Sequence, residues 1–428
     1  MDNSYLLILA ILIGCLVSMV PVFLSLFLAG TVGLVFMVGI DPQIVIEVLY
    51  RSMDKFALVV VMFFILCGNI MTTGSIVEKL IKTANVLVGF LPGGLAMAGV
   101  LACGFFGAIS GSTVATMVAI GGFMIPALIK HGYDEKFSIG IMTTAPILGI
   151  VIPPSISMIL YSMVTNDQLE ALFLTGFIPG VLIICAMCIY AYVVSKKMGM
   201  ERHNKPTLTE VLAVFRESCW ALMLPVLIFG GIYSGLFTAN EAAVVACFYA
   251  FFVEIFIHKD MKLKDIKGVM LSSAVTSASL LIIVAGASVF GEYLTFEQIP
   301  SKIAAVVVEN IGSPWVFLLA VNILLLIIGM FMDIISATLI LTPIFLPLLG
   351  KFGIDTMHFG LLMTINLGIG YCTPPLGVSL YISGAVVNRD IIYVTRAVMP
   401  FIILQIVVLM VLTFWADLVL FLPRLVYG

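Results

Sequence analysis

One stretch of this sequence occurs twice and decides the fold. Residues 126–154 read PALIKHGYDEKFSIGIMTTAPILGIVIPP, and residues 347–375 read PLLGKFGIDTMHFGLLMTINLGIGYCTPP. Aligned without a gap at an offset of 221 residues, the two stretches share ten identities, including the proline pairs with which they end. At an offset of 222, Gly107 matches Gly329 and Ala115-Thr116 matches Ala337-Thr338. This recurrence indicates an internal duplication in which both copies fold as the same unit.

The composition places the duplicated chain in a membrane. Of its 428 residues, 62% are hydrophobic and 10% are charged, and the mean hydropathy is +1.24, whereas about a quarter of the residues of a soluble domain are charged. Because the apolar stretches approach the roughly 20 residues of a spanning helix, we expect an all-α integral membrane protein. A net charge of −3 without a basic tail excludes a nucleic-acid partner.

Continuous and interrupted apolar stretches alternate along the chain. Spanning helices are expected at residues 4–20, 22–39, 57–73, 168–195, 218–236, 239–257, 270–290 and 398–416. The N-terminus lacks the features of a cleaved signal peptide, so the first span should remain in the membrane. Between the spans, glycine and proline predict breaks inside the bilayer, at Gly104 to Gly111, Gly121-Gly122, Pro153-Pro154, Pro343 to Pro347 and Pro374-Pro375.

These breaks divide the chain into five regions. We predict N-terminal scaffold helices at 1–92, a first transport-domain repeat at 93–195, an amphipathic linker with further scaffold helices at 196–312, a second repeat at 313–396 and a C-terminal helix at 397–428. Each repeat should contain a re-entrant hairpin, at 93–130 or 315–350, followed by a broken helix, at 136–165 or 357–386.

The distribution of lysine and arginine predicts that the repeats are inverted. The loops at 195–205 and 258–267 each hold four basic residues and should face the cytoplasm. Counting spans from these loops places the loop at 130–136 inside and its counterpart at 351–355 outside. Inverted repeats with broken helices are typical of secondary transporters, whose substrate and ion sites lie at the breaks.

Main-chain oxygens at the breaks predict sodium sites. A hairpin tip that faces an unwound helix can offer carbonyl and hydroxyl oxygens to a hard cation. The first-half candidates are Gly107, Ser110, Gly149, Ile152 and Pro154, and the second-half candidates are Gly329, Asp333, Gly370, Thr373 and Leu376. The alternative is that these glycines and prolines serve close helix packing and simple kinks.

Three polar side chains are candidates for substrate contact. Asp333 is a carboxylate inside an apolar segment, which favours a functional role, although it could equally cap a half-helix at the hairpin tip. Ser112 lies at the first tip, and Ser157 follows the first proline pair. For each serine, a hydrogen bond back to its own helix is the alternative.

The tip Gly-Ala-Ile-Ser-Gly-Ser-Thr at 107–113 and the proline pairs at 153–154 and 374–375 resemble those of the large membrane subunit of tripartite ATP-independent periplasmic (TRAP) transporters, over essentially the whole chain. The resemblance implies an elevator mechanism in which a transport domain carries a carboxylate with at least two sodium ions across the bacterial inner membrane. It also implies roles for Ser112, Ser157 and Asp333 in substrate handling.

The same resemblance implies partners and a substrate class. A small four-helix membrane subunit, expected as a separate chain, and a periplasmic substrate-binding protein would complete the transporter. Sialic acid is the preferred substrate, with a C4-dicarboxylate as the alternative. No cofactor is expected besides sodium as the coupling ion.

Other function classes fit the residues less well. An enzyme would need a base or metal ligands at membrane depth, whereas the four histidines, His131, His203, His258 and His358, lie in or beside polar loops. An ATP-driven pump would need a phosphate-binding loop of the Gly-x-x-x-x-Gly-Lys type, which the sequence lacks. A channel would not explain two inverted, broken hairpins. A sodium/dicarboxylate carrier that works without a binding protein remains the nearest rival.

Overall fold

The computed structural model describes residues 4–18, 20–200, 205–374 and 377–428. Within these ranges the chain is helical and contains no β-strand. The helices are α1 Ser4–Val17, α2 Val22–Val32, α3 Pro42–Met53, α4 Phe56–Thr73, α5 Ile76–Val88, α6 Gly94–Ser110, α7 Thr113–Thr116, α8 Gly122–Lys130, α9 Glu135–Thr144, α10 Leu148–Val151, α11 Ile156–Thr165, α12 Leu169–Thr175, α13 Phe177–Lys197, α14 Leu208–Tyr233, α15 Ala239–Phe252, α16 Leu263–Phe296, α17 Ile299–Asn310, α18 Pro314–Phe331, α19 Ile334–Phe352, α20 Thr356–Gly370, α21 Val378–Val387, α22 Ile391–Phe414 and α23 Ala416–Tyr427.

The predicted all-α membrane architecture is confirmed. Ten helical runs in the described ranges are long and apolar enough to cross a membrane. The longest helix, α16, has 34 residues, or about 50 Å at ~1.5 Å per residue, and therefore exceeds a hydrocarbon core of about 30 Å. Most expected spans coincide with helices, but α14 begins ten residues before the expected position 218, at Leu208.

The C-terminal region differs from the prediction of one helix at 397–428. The chain turns at Trp415, whose backbone angles are φ −125° and ψ 69°, and a second helix, α23, follows. Helix α23 exposes Phe421 and Leu425 and carries an ion pair between Arg424 and Asp417 at 2.6 Å. This mixture of apolar and charged residues is typical of a helix that lies at an interface rather than across it.

Both predicted hairpins are present, each with a break at its tip. Helix α6 ends at Ser110, Gly111 adopts φ +62°, and the helical run 113–130 follows. In the second repeat, α18 ends at Phe331 and α19 begins after Asp333. Whether these hairpins are re-entrant in the bilayer stays a prediction.

Two other predicted interruptions are wrong. Pro343 and Pro347 lie inside the continuous helix α19, and the Gly121-Gly122 pair lies in a helical run that widens into a π-turn at Met117–Gly121. Proline in a helix removes a single amide donor, and the neighbouring turns of an apolar, packed helix maintain its course. Gly122 is open to its surroundings, so it need not break the helix.

Both predicted broken helices are also present. In the first repeat, α9 and α10 are joined by a 3₁₀ turn at Ala145–Ile147, and the chain leaves the helix at Ile152 and bends at Pro153-Pro154 before α11 begins. In the second repeat, α20 ends at Gly370 and α21 begins at Val378. Pro375 and the sodium candidate Leu376, like residues 201–204 of the predicted linker, lie outside the described residues.

Contacts at the helix ends show that the two repeats run in opposite directions. The start of α9 meets the end of α21, where Arg389 donates two hydrogen bonds to Glu135 at 2.8 and 2.9 Å. The start of α20 meets the end of α11, where Thr356 donates to Asp167 at 2.8 Å. Because the N-terminal end of each broken helix contacts the C-terminal end of the other, the two broken helices are antiparallel.

Candidate substrate and ion site

The four helix breaks converge on one small cavity. It has a volume of about 80 Å³, and every broken unit contributes to its wall. The lining residues are Gly111, Ser112, Thr113, Val114, Ile150, Ile156, Ser157, Asp333, Ile334, Ile335 and Tyr371. The structure therefore brings together the three substrate candidates, which are far apart in the sequence. We call this space the central cavity.

Three helical runs begin at the central cavity. They start at Thr113, Ile156 and Ile334, and the residues before them cap their first turns. Ser112 accepts from the amide of Ala115 at 3.4 Å, and Ser155 accepts from the amide of Met158 at 3.4 Å. The amino ends of helices carry partial positive charge and unpaired amides. The helix ends therefore favour an anion in the central cavity, whose described lining contains no Lys, Arg or His side chain and one carboxylate, Asp333.

Asp333 caps helix α19. Its Oδ1 accepts from the amide of Ser336 at 2.9 Å, and its Oδ2 accepts from the hydroxyl of Ser336 at 2.5 Å. The capping alternative considered for Asp333 is therefore realised, while the carboxylate still borders the central cavity. Its negative charge offsets the positive potential of the helix end and can attract a cation.

Ser157 belongs to a pair of buried hydroxyls. Its Oγ lies 3.0 Å from the Oγ of Ser155, and both side chains are almost completely buried. Ser155 is also the residue that caps α11, so the start of this helix places both hydroxyls.

The first-half sodium candidates surround the crossing of the hairpin and the broken helix. A Cβ added to Gly107 would lie 2.8 Å from the Cα of Gly149, so the two backbones are in contact. The hydroxyl of Ser110 lies 3.3 Å from that of Thr116, which donates to the carbonyl of Ser112 at 2.8 Å. Several oxygens thus lie within one turn of each other.

Pro154 and Ile152 take different positions at this crossing. The carbonyl oxygen of Pro154 faces the hairpin tip, 2.7 Å from where a Cβ on Gly111 would lie, and the amide of Ile156 donates to the Gly111 carbonyl at 3.2 Å. The Ile152 side chain instead packs against Gly180 of α13 and Gly104 of α6.

The second-half candidates repeat this crossing. A Cβ added to Gly370 would lie 2.7 Å from the Cα of Gly329. The carbonyl oxygens of Gly370 and Thr373 were expected to be free to bind sodium. In the turn after α20, however, each accepts a backbone hydrogen bond: the Thr373 amide donates to the Gly370 carbonyl at 2.9 Å, and the Gly377 amide donates to the Thr373 carbonyl at 3.2 Å. The four glycines therefore allow close packing of the helices, which was the alternative to a sodium-binding role. The same close approach fixes the positions of nearby oxygens, and sodium binding there stays a prediction.

Two polar side chains that line the central cavity are absent from the sequence-based candidates. The Thr113 side chain is 2% exposed, and its hydroxyl has no hydrogen-bond partner among the described residues. Tyr371 lines the cavity from the first position after α20. Thr113 follows Ser112 directly and could have been included with it, whereas nothing in the sequence indicates that Tyr371 turns inward.

A comparison with protein families decides the class of the protein. Residues 9–418 match the family described as "Tripartite ATP-independent periplasmic transporter, DctM component". The chain belongs to this family. It is a transporter permease rather than an enzyme, and a multi-pass protein of the bacterial inner membrane.

Named relatives cover most of this TRAP permease. It is 37% identical to the C4-dicarboxylate TRAP transporter large permease protein of Rhodobacter capsulatus, over 99% of both chains, and 41% identical to that of Pseudomonas aeruginosa, over 88% of both. It is 35% identical to the sialic acid TRAP transporter permease of Haemophilus influenzae, over 89% of this chain and 62% of the relative.

A solved structure shows the same fold. The YdaH transporter of Alcanivorax borkumensis superposes with a TM-score of 0.63 over 88% of this chain and 90% of that one, at 15% identity. This likeness concerns the fold alone.

Proposed function

We propose that this permease carries a small organic anion, a carboxylate, across the membrane together with sodium ions. The observation that supports the proposal is the central cavity, where three helix amino ends meet the hydroxyls of Ser112, Thr113 and Ser157, and where no basic side chain of the described part of the chain is present. Such a site attracts a carboxylate by amide dipoles and hydroxyl donors.

Sodium would supply the missing positive charge. The crossings at Gly107–Gly149 and Gly329–Gly370 lie beside the hydroxyls of Ser110 and Thr116 and beside the Asp333 carboxylate. Oxygen ligands of this kind suit a hard monovalent cation. Binding of sodium at both crossings would raise the affinity for the anion, which is the coupling that symport requires.

Movement would follow an elevator mechanism. The hairpins and broken helices of both repeats contact one another through the glycine crossings and the end-to-end pairs, so they can move as one transport domain. The remaining helices would form the scaffold, and a small membrane subunit and a periplasmic binding protein would complete the tripartite transporter.

The substrate class admits two candidates. Sialic acid, the preferred substrate from the sequence, is the substrate named for one relative, whereas C4-dicarboxylates are named for two relatives of somewhat higher identity. We therefore propose a carboxylate and test both.

The experiment is uptake into proteoliposomes that contain the permease and its small subunit. Radiolabelled C4-dicarboxylates and sialic acid are compared with and without the binding protein, and with a sodium or a potassium gradient. Uptake that requires both sodium and the binding protein supports the proposal. Uptake that ignores the sodium gradient would indicate a channel, and uptake without the binding protein would indicate a self-sufficient carrier.

A further inference from the structure

A groove lies between the last turn of α4 and the first turns of α16. It has a volume of about 420 Å³ and is lined by Asn69, Thr72, Thr73, Lys264, Asp265, Gly268, Val269 and Ser272. We call it the interfacial groove, because α4 ends at Thr73 and α16 begins at Leu263, within the basic stretch 258–267. Basic loops of this kind lie at the cytoplasmic surface of the membrane.

The interfacial groove presents several hydrogen-bond acceptors. The hydroxyls of Thr72 and Thr73 both donate to the carbonyl of Asn69, at 3.0 and 2.8 Å. The side-chain amide of Asn69 donates to Ser273 at 2.8 Å. The single O–H of each threonine is already used, so the two threonine oxygens can only accept a further hydrogen bond. The Asn69 side-chain oxygen is a further acceptor, and the Asn69 amide retains its second N–H.

Two opposite charges complete the groove. Asp265 accepts from the amide of Lys262 at 3.0 Å through Oδ2, which leaves Oδ1 as a further acceptor. Lys264 is exposed beside it. The groove therefore offers one cation next to a group of acceptors that includes one carboxylate, and the two formal charges cancel.

We propose that the interfacial groove binds a phospholipid that carries a primary ammonium group, an ethanolamine phospholipid. Its phosphate would pair with Lys264, and its ammonium would donate hydrogen bonds to Asp265 and the threonine oxygens. A choline headgroup has no N–H donor, and a glycerol headgroup leaves the Asp265 carboxylate facing an anion. The acyl chains would continue along Gly268 and Ser272 toward the exposed apolar side chains of Leu271 and Val275.

The test measures lipid binding to the full-length permease, purified in detergent and freed of lipid. Native mass spectrometry compares ethanolamine, choline and glycerol phospholipids with the same acyl chains. The wild type should retain the ethanolamine lipid in preference. Lys264→Gln should weaken its binding roughly tenfold, as expected for one charge-assisted hydrogen bond.

A matched control separates the groove from the general charge of the loop. Lys259→Asn removes the same charge from the same loop but outside the groove, and asparagine suits the φ of +60° at this position. It should bind lipid like the wild type. Asp265→Asn keeps a capping oxygen but should lose the preference for ethanolamine over glycerol headgroups.

Ser272→Leu tests the groove without a change of charge, because the larger side chain would fill it. Ser279→Leu, on the exposed surface of the same helix, is its control. Equal binding of the three lipids by the wild type, or unchanged ethanolamine binding in both Lys264→Gln and Ser272→Leu, would overturn the proposal. Size-exclusion profiles confirm that each variant is folded. The outcome is independent of the proposed transport function.

Discussion

At the scale of single residues, the two places where glycine-containing helices cross tolerate no side chain larger than that of glycine without a shift of the backbone. Gly107 and Gly149 allow two backbones to touch, and Gly329 and Gly370 do the same in the second repeat. A methyl group at any of these positions would have to displace main-chain atoms rather than a flexible side chain. Such overpacking costs roughly 1–3 kcal/mol or more.

Gly107→Ala should therefore lower the thermal stability of the purified permease and reduce sodium-dependent uptake, because the crossing also places the neighbouring oxygens. Thermal unfolding in detergent and uptake into proteoliposomes check this. Gly122→Ala is the matched control, since no atom of the described residues beyond its own helix turn lies within 4 Å of its added Cβ, and it should retain both properties. Wild-type behaviour of Gly107→Ala would show that the hairpin and the broken helix are not in contact.

Asp333 allows capping to be separated from charge. Asp333→Asn retains an oxygen that can accept from the Ser336 amide, so the stability should change by less than about 1 kcal/mol. Uptake should nevertheless fall, because the negative charge at the central cavity is lost. Asp333→Ala loses the cap as well and should cost about 1 kcal/mol of stability.

The two variants are compared by thermal unfolding and by sodium-driven uptake. Lost uptake with sodium binding retained in Asp333→Asn would place the carboxylate at the substrate. Unchanged uptake in that variant would remove Asp333 from the site and leave it a capping role only.

At the scale of elements, the end-to-end pairs join the broken helices of the two repeats. Arg389 and Tyr393 both donate to Glu135, and this carboxylate raises the pKa of the Arg389 guanidinium above its usual value. At the other end, Asp167 accepts from Thr356, and Tyr161 donates to the Thr356 carbonyl at 2.8 Å. Asn166 and Asn388, which follow the last residues of α11 and α21, have left-handed backbone conformations and lead the chain toward these contacts.

Arg389→Ala should lower the unfolding temperature, and the effect should shrink at high salt because the pair is partly exposed. The double exchange Glu135→Arg with Arg389→Glu should recover part of the loss. Arg51→Ala, which removes the highly exposed pair with Glu47, serves as the control and should have little effect. Equal effects of Arg389→Ala and Arg51→Ala would mean that the end contact does not join the repeats.

At the scale of the whole molecule, the elevator mechanism requires the transport domain to slide along the scaffold. Helices α16 and α19 would lie on opposite sides of this boundary, and Ser288 and Leu339 line the same cavity between them. Glu135 and Arg389, in contrast, both belong to the proposed transport domain.

Cross-linking tests this division in a variant whose native cysteines are replaced. A bifunctional thiol reagent that joins Ser288→Cys to Leu339→Cys should abolish uptake, because it ties the transport domain to the scaffold. The same reagent across Glu135→Cys and Arg389→Cys should leave most uptake intact. Transport that survives the first cross-link would exclude sliding between α16 and α19.

Much of this architecture follows from local sequence signals. Apolar length predicts the spanning helices, and Gly111, Pro153-Pro154 and the Gly370–Pro374 region predict where helices stop, since these residues change the backbone itself. The sequence misplaces breaks at Pro343 and Pro347, which the packed helix α19 tolerates. It also misses α3 and α5, because their apolar content is lower than that of a membrane span.

By itself, the sequence determined that the protein lies in the membrane and that its fold is a repeated helical unit with interruptions at fixed positions. These are properties of composition and of residues near one another in the chain. Only the tertiary structure decided that Ser112, Ser157 and Asp333 share one cavity, that Tyr371 joins them, and that the glycines meet in pairs. The reason is that these contacts join residues far apart in the chain, and their geometry depends on how both repeats pack against each other.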